Sequence, residues 1–292
     1  MELANKMNVM REDMMEKIII SQITGGLGNQ LFQYAFARKL ALETDAVLLL
    51  DTRIYNLENI PGFTKRNLEL FNFPVHAEIL SDKHLKRIPD EVFFLEETRD
   101  FIFEEISINE NDLPLYIKGY WQSWKYIKPI EQFLRRELCF QTEKFSDQIN
   151  SFGRMLSGTS SVGVHIRRTD YEKYPQLGIL PYSYYFKAVN YFKQKNTEFQ
   201  FYVFSDDTDW VVSNFNIPAP CQIVKGNNGM EDFYLMSRCR HLIIANSSYS
   251  WWAAWLNPFT AKTVVAPRYW KLGEGLDVSD TDLIPPEWIS IW

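Results

Sequence analysis

The chain has 292 residues, 46% of them apolar and 23% charged, with a formal net charge of −6. That length supports one large or two modest globular domains, and no apolar run approaches the roughly 18 residues that a bilayer-spanning helix needs. The acidic balance argues against a general nucleic-acid binder, and three cysteines (Cys139, Cys221, Cys239) without CxxC spacing point to buried free thiols, not to disulfides or a zinc knuckle.

Residues 1–17 mix methionines with Arg11, Glu12, Asp13 and Glu16 and lack the basic, apolar, small-residue order of a signal peptide. The expectation is a cytoplasmic protein, with Met14 or Met15 as alternative natural starts. Lys17–Ile23 reads as a strand, Thr24–Gly28 as a turn and Gln30–Leu42 as a helix with apolar residues at helical spacing. Ala46–Leu50, ending at Asp51, completes a βαβ unit. Residues 52–111 are irregular and give only short pieces such as Glu91–Leu95. Leu115–Gly119 then reads as a strand, Pro129–Leu138 as a helix and Phe145–Leu156 as a weaker one. Ser157–Ser161 looks like a linker, which divides the chain into 1–157 and 158–292.

The second half alternates more cleanly. Strands are expected at Ser161–Ile166, Phe199–Phe204, Gln222–Val224 and His241–Ala245, with Thr263–Ala266 as the last. Helices are expected at Tyr182–Lys195, Asp207–Asn214, Met230–Arg238 and Ser250–Leu256. Such alternation predicts an α/β fold with a parallel sheet covered on both faces, whose ligands sit beyond the carboxyl ends of the strands.

The suggestive motifs all begin where a strand ends. TGGLGNQ (Thr24–Gln30) places Gly26 and Gly28 before a helix, where backbone N–H groups can approach an anion. Leu31 stands where a dinucleotide fingerprint needs its third glycine, although Asp51 lies near the place of a ribose-binding acid. In HIRRTD (His165–Asp170) two adjacent arginines cannot both enter an apolar core, so at least one faces a cleft or a carboxylate. A guanidinium suits phosphate and can neutralise a departing one; an internal pair with Asp170 is the alternative. Asp207-x-Asp209 is either a divalent-metal pair or a helix cap with acids in its first turn, and the cap is favoured. Glu231 or Asp232 could pair with the ring N–H groups of a guanine. The polar turn Asn246, Ser247, Ser248 opens another helix and makes a second anion site. Trp251, Trp252 and Trp255 read as core, and the four histidines lack ligand spacing. In GYWQSWKYI (Gly119–Ile127), Gln122, Ser123 and Lys125 among aromatics suit a sugar or, equally, a helix entrance.

Together GGLGNQLFQYAFA, GYWQSWKYI, HIRRTDY, FSDD and EDFYLMSRCRHLIIANSSYSWWAAWLN resemble the bacterial alpha-1,2-fucosyltransferases, in the family's order and over most of the chain. The resemblance implies a GT-B-like fold of two Rossmann-like halves, an amino-terminal one on the acceptor side and a carboxyl-terminal one binding GDP-β-L-fucose. It also implies inversion at the anomeric carbon and a galactose 2-hydroxyl as acceptor, with no metal or other cofactor. It puts Arg167 on the donor phosphates, with His165 and Asp170 beside it. Gly26, Gly28, Asn29, Arg168, Glu231, Asp232, Asn246, Ser247 and Ser248 are candidates for the donor, and Gln30, Gln122 and Trp124 for the acceptor. Asp170, Glu172 and His165 are candidate bases. A galactose-terminated oligosaccharide is the expected partner, and acceptors on lipid carriers leave room for peripheral membrane contact. A nicotinamide-dependent oxidoreductase and a non-catalytic glycan-binding protein are the competing readings.

Overall fold

The computed structural model describes residues 17–57, 65–195, 198–217 and 219–291; the alternative starts at Met14 and Met15 lie outside them. Two parallel sheets form, one from each half of the sequence. The first has the order β3-β2-β1-β5-β4, with β1 Ile18–Gln22, β2 Val47–Asp51, β3 Glu78–Ile79, β4 Phe93–Glu96 and β5 Leu115–Lys118. The second contains β6 Ser161–Ile166, β7 Gln200–Ser205, β8 Cys221–Ile223, β9 His241–Ile243 and β10 Val264–Pro267. The hairpin β11 Tyr269–Lys271 and β12 Leu276–Asp277 follows, and β13 Ile289–Ile291 then joins β10 at the sheet edge. The order of this sheet is β13-β10-β9-β6-β7-β8. The last strand is therefore β13, not Thr263–Ala266.

The short apolar runs form strands because both of their faces are covered: every residue of β6 and β10 is buried. β3 and β4 obey no such rule. Phe93 and Phe94 on edge strand β4 are 52% and 77% exposed, and β3 has only two residues, both exposed, so residues 52–111 carry little readable pattern.

Each sheet has one switch point, where the chain reverses its direction of strand addition: between β1 and β5 in the first and between β6 and β9 in the second. The helices after β1 and β9, Leu27–Thr44 and Ser248–Leu256, start at these points and abut. A Cβ on Gly28 would lie 2.6 Å from the Ser248 carbonyl oxygen and closer still to Ser248 C and Tyr249 N. The rings of Phe32 and Trp251 pack next to this contact with centroids 4.6 Å apart. One apolar cluster runs from Ile19 and Leu31 to Trp251, Trp252 and Met236, so the two sheets share a core. The Asp147–Gly158 helix precedes the expected boundary at 157, yet it packs on the Gly229–Arg238 helix of the second half. There a Cβ on Gly153 would meet the Tyr234 ring at 2.9 Å.

Of the three cysteines only Cys239 is buried; Cys139 and Cys221 are free and exposed, which corrects the expectation that all three are buried. Gly28→Ala is expected to lower unfolding free energy by about 1–3 kcal/mol, because backbone on a shared core must move to admit the methyl group. Urea denaturation of the two proteins measures it.

Candidate active site

A cleft of about 950 Å³ opens where the four switch-point segments meet. Gly25–Asn29 follow β1, Tyr120 and Gln122 follow β5, His165–Tyr171 end and follow β6, and Asn246–Tyr249 follow β9. A hydrogen-bond chain joins three of these segments. Gln122 Nε2 donates to Asn29 Oδ1 (2.9 Å), which also accepts from Ser248 Oγ (2.6 Å). Both helix starts lack a side-chain cap and an acid in the first turn. Their N–H groups and dipoles thus leave two positive ends at the cleft, the arrangement that favours a bound anion.

Arg167 lies at the carboxyl end of β6. Its guanidinium contacts Asp170 Oδ2 at 2.8 Å and Asp206 Oδ2 at 3.2 Å. Arg66, from the first half, reaches across the cleft to the same Asp170 oxygen. Burial alone would lower the Arg167 pKa, but Asp206 and Asp170 hold it above its ordinary value. Burial would likewise raise the Asp170 carboxyl, yet its hydrogen bond and charge contact with Arg167, joined by Arg66, keep it low. Asp206 also anchors the turn, accepting from the Arg168 N–H (2.9 Å) and the Thr169 hydroxyl (2.6 Å). Two cations and two anions therefore balance in this cluster, and the buried Asp170 Oδ1 has no partner among the described residues.

His165 is 3% exposed and lines the cleft, and its Nδ1 has no partner among the described residues. Burial and the adjacent Arg167 charge push its pKa down to about 3, so it is a neutral ring at pH 7 and a weaker base than an ordinary carboxylate. Asp232, on the helix after β8, is the opposite case. Burial raises its carboxyl to about 6, with Glu231 adding to the shift and the Asn227 amide (2.9 Å) opposing it.

Several sequence expectations are corrected. Arg168 turns away from the cleft, stacking 3.6 Å over the Trp210 ring and pairing with Glu172 and Asp207. Glu172 is thereby engaged outside the cleft lining. Glu231 completes a capping box by accepting from the Asn228 N–H (2.8 Å), which leaves Asp232 as the acid facing the cleft. Gln30 is fully buried. Its Nε2 donates to the Gly25 and Asn67 carbonyls, and its Oε1 accepts from the Glu69 and Leu70 N–H groups, so nothing is left for a sugar. Trp124 packs against the core outside the cleft lining. Asp51 is bound bidentately by Arg53 at 2.8 and 2.7 Å and by the Tyr116 hydroxyl at 2.8 Å, which removes it as a ribose acid. Asn246 keeps its place in the lining, but its Nδ2 is spent on the Leu177, Gly178 and Trp270 carbonyls. A Cβ on Gly26 would make an ordinary contact with Arg66 Cδ at 3.9 Å, whereas Gly28 is glycine because the facing backbone is so near. Asp207 caps the Thr208–Asn214 helix, accepting from the Trp210 N–H at 3.1 Å, and Trp251 and Trp252 are core.

Sequence reading missed Arg66, Glu69, Glu97, Asp100 and Asp206, all in the lining. Asp206 stood in the SDD motif beside the cap. The others lie in the stretch that has no periodicity, where only the tertiary fold brings them to the cleft.

The neutral His165 has a consequence for stability. Its folded pKa is depressed, so below pH 6.5 the unfolded chain takes up a proton that the folded chain refuses until about pH 3. Stability therefore falls through that window, by up to about 1.4 kcal/mol per pH unit from this group. Urea titrations at pH 7 and pH 5 should show a smaller loss for His165→Asn than for the wild type.

Comparisons with known proteins agree with this architecture. Over 94% of this chain and 99% of the relative, the sequence is 29% identical to an alpha-1,2-colitosyltransferase of Escherichia coli. It is also 29% identical to galactoside alpha-(1,2)-fucosyltransferase 1 of Rattus norvegicus, over 54% of this chain and 45% of that one. The crystal structure of NodZ alpha-1,6-fucosyltransferase co-crystallised with GDP matches with a TM-score of 0.53 at 17% identity, covering 83% of this chain and 93% of that one. At that identity the match concerns fold, and it supports the GT-B-like arrangement of two α/β halves. The family model described as glycosyl transferase family 11 matches residues 21–291. With two parallel sheets facing one cleft, an arginine at the end of β6 and a family match over nearly the whole chain, the protein belongs to glycosyl transferase family 11.

Proposed function

We propose that this glycosyltransferase moves L-fucose from GDP-β-L-fucose to the 2-hydroxyl of a terminal galactose, with inversion and without a metal. The observation that carries the reading is Arg167, held between Asp170 and Asp206 beside two uncapped helix starts. A pyrophosphate brings the negative charge that this place suits. Its oxygens take over the guanidinium and the N–H groups of Ser248 and Tyr249, while Asn227 and Asp232 receive the guanine. As the bond between the anomeric carbon and the phosphate oxygen lengthens, charge grows on GDP and Arg167 offsets it in a site already arranged to do so. The arginine then supplies what a divalent cation supplies elsewhere. Support for that comes from the D-x-D segment, whose Asp207 is spent as a cap. Among the described residues, no group of three His, Cys, Asp or Glu is placed to hold a metal.

Relatives that are an alpha-1,2-colitosyltransferase and a galactoside alpha-(1,2)-fucosyltransferase favour L-fucose or the related colitose as the transferred sugar, with a 1,2-linkage. Colitose is fucose without its 3-hydroxyl, so GDP-colitose is the second reading of the donor. The proposed acceptor is a galactose-terminated glycan. Contact with a lipid-linked form is proposed as peripheral, since among the described residues no helix is long and apolar enough to cross a membrane.

Arg167→Ala should still fold, with a lower unfolding temperature because Asp170 and Asp206 lose their partner, while kcat with GDP-fucose at a temperature where both proteins are folded falls by about 10²–10³-fold, the usual loss when one preorganised charge partner is removed. Wild-type turnover in that variant overturns the leaving-group role. Transfer should also persist in excess EDTA, and a strict Mn²⁺ requirement overturns that part. An acceptor screen with both GDP-sugars, the linkage read by NMR, separates fucose from colitose.

A further inference from the structure

Inverting transfer requires a proton acceptor on the side of the sugar opposite the leaving group. Six carboxylates line the cleft: Glu69, Glu97, Asp100, Asp170, Asp206 and Asp232. Asp170 and Asp206 are bound to Arg167. Asp232, held by the Asn227 amide, is taken by the guanine in the donor reading above. Asp100 is exposed and paired with Lys271 at 3.0 Å. Glu69 and Glu97 remain, both on the wall contributed by the first half.

Only Glu97 is held in place. It directly follows β4, and its own N–H continues the ladder to the Lys118 carbonyl at 2.9 Å. Its Oε2 accepts from the Tyr120 N–H at 2.6 Å and its Oε1 from the Trp121 N–H at 3.0 Å. The backbone around it is unusual. Gly119 has φ +143°, and a Cβ there would collide with the Glu97 side chain; buried Trp121 has φ +55° and neighbouring Phe101 has φ +62°. Non-glycine residues in that region are costly and persist where the surroundings force them, often at functional sites. Here they turn two successive N–H groups onto one carboxylate. The buried Trp121 Nε1 beside it has no partner among the described residues. By contrast, no hydrogen-bond donor among the described residues fixes the Glu69 carboxylate, which flanks Arg66.

We propose that Glu97 is the general base, accepting the proton of the acceptor hydroxyl across the cleft from Arg167. The proposal rests on the donor reading above only in needing a transferred sugar. The acceptor oxygen forms the new bond to the anomeric carbon, the bond from that carbon to the phosphate oxygen breaks, and its electron pair leaves with GDP. The hydroxyl proton goes to Glu97. Each carboxylate oxygen uses one lone pair on a backbone N–H and keeps another for the incoming O–H. Burial raises the Glu97 pKa above the ordinary value despite those two N–H groups, which favours proton capture.

The test compares wild type, Glu97→Gln, Glu97→Asp and Glu69→Gln in steady-state transfer, using whichever of GDP-fucose or GDP-colitose the wild type turns over. A wrong donor assignment thus shows in the wild type, and a wrong base shows in the variants. Glu97→Gln should lose about 10²–10⁴ in kcat with GDP affinity within two-fold of the wild type. Glu97→Asp should recover part of the rate. The wild-type profile of kcat/KM for acceptor should fall on an acid limb with its midpoint above 4.5, the unshifted glutamate value, and Glu69→Gln, whatever its rate, should keep that limb. A Glu97→Gln protein that binds GDP and transfers at the wild-type rate overturns the proposal. So does loss of the limb in Glu69→Gln, a readout that stands even if Glu97→Gln fails to fold.

Discussion

The site depends on one close approach, that of the Leu27–Thr44 and Ser248–Leu256 helix starts at Gly28. Two dipoles with the same sign at their tips repel, so their own electrostatics do not bring these ends together. The Asn29 carboxamide bridges them instead, accepting from Gln122 and Ser248, while the Phe32, Trp251 and Trp252 rings bury the flanks. The result is two helix starts without side-chain caps fixed side by side at the switch points of both sheets, and on the proposed reading a phosphate is the group that answers them.

Charge in the cleft follows from the same placement. Arg66 and Arg167 against Asp170 and Asp206 make a balanced cluster of four charges whose arginines are pre-aimed. On the proposed reading a diphosphate would compete with Asp170 for guanidinium donors that are already oriented, so little ordering would remain to be done on binding. His165 beneath them stays uncharged because a cation there would face Arg167 in a dry setting. The opposite wall, around Glu97 and Gln122, carries carboxylate and amide groups suited to hydroxyls. On the proposed reading, one wall handles phosphate and the other sugar.

Much of this was legible in the sequence where chemistry and periodicity coincide. The parallel strands β1, β2, β6 and β7, the glycine turn, the HIRRTD segment and the polar turn at 246–248 all stand at strand ends, and the structure brings them to one cleft. The cap at Asp207 was readable because a serine and aspartates after a strand are a local device. What failed was orientation. Arg167 and Arg168 are adjacent and chemically identical, and only Trp210 and Glu172, distant or exposed partners, decide that Arg168 turns away. Gln30 looked like a ligand because it is polar in a motif, yet four backbone groups around it make it a strut. Residues 65–101 were silent because short edge strands and loops with exposed phenylalanines carry no burial period, although Arg66 and Glu97 come from there.

The shared core has a consequence for rebuilding these enzymes. Because Leu31 and Phe32 of the first half pack in the same cluster as Trp251 and Met236 of the second, the halves are not modules that trade freely between relatives. A chimera cut between residues 119 and 161 would set foreign side chains against each other along the whole seam, and unmatched packing tends to yield an ill-defined interior. The transferable piece is smaller. The strand-to-loop segment around residues 93–122 runs from edge strand β4 through β5, which pairs with β1, and meets the second half through the Asp100–Lys271 pair, the Phe103 N–H on Asp282 and the Gln122–Asn29–Ser248 chain, so a graft means moving that segment with its glycine and keeping those partners and the helix contact intact.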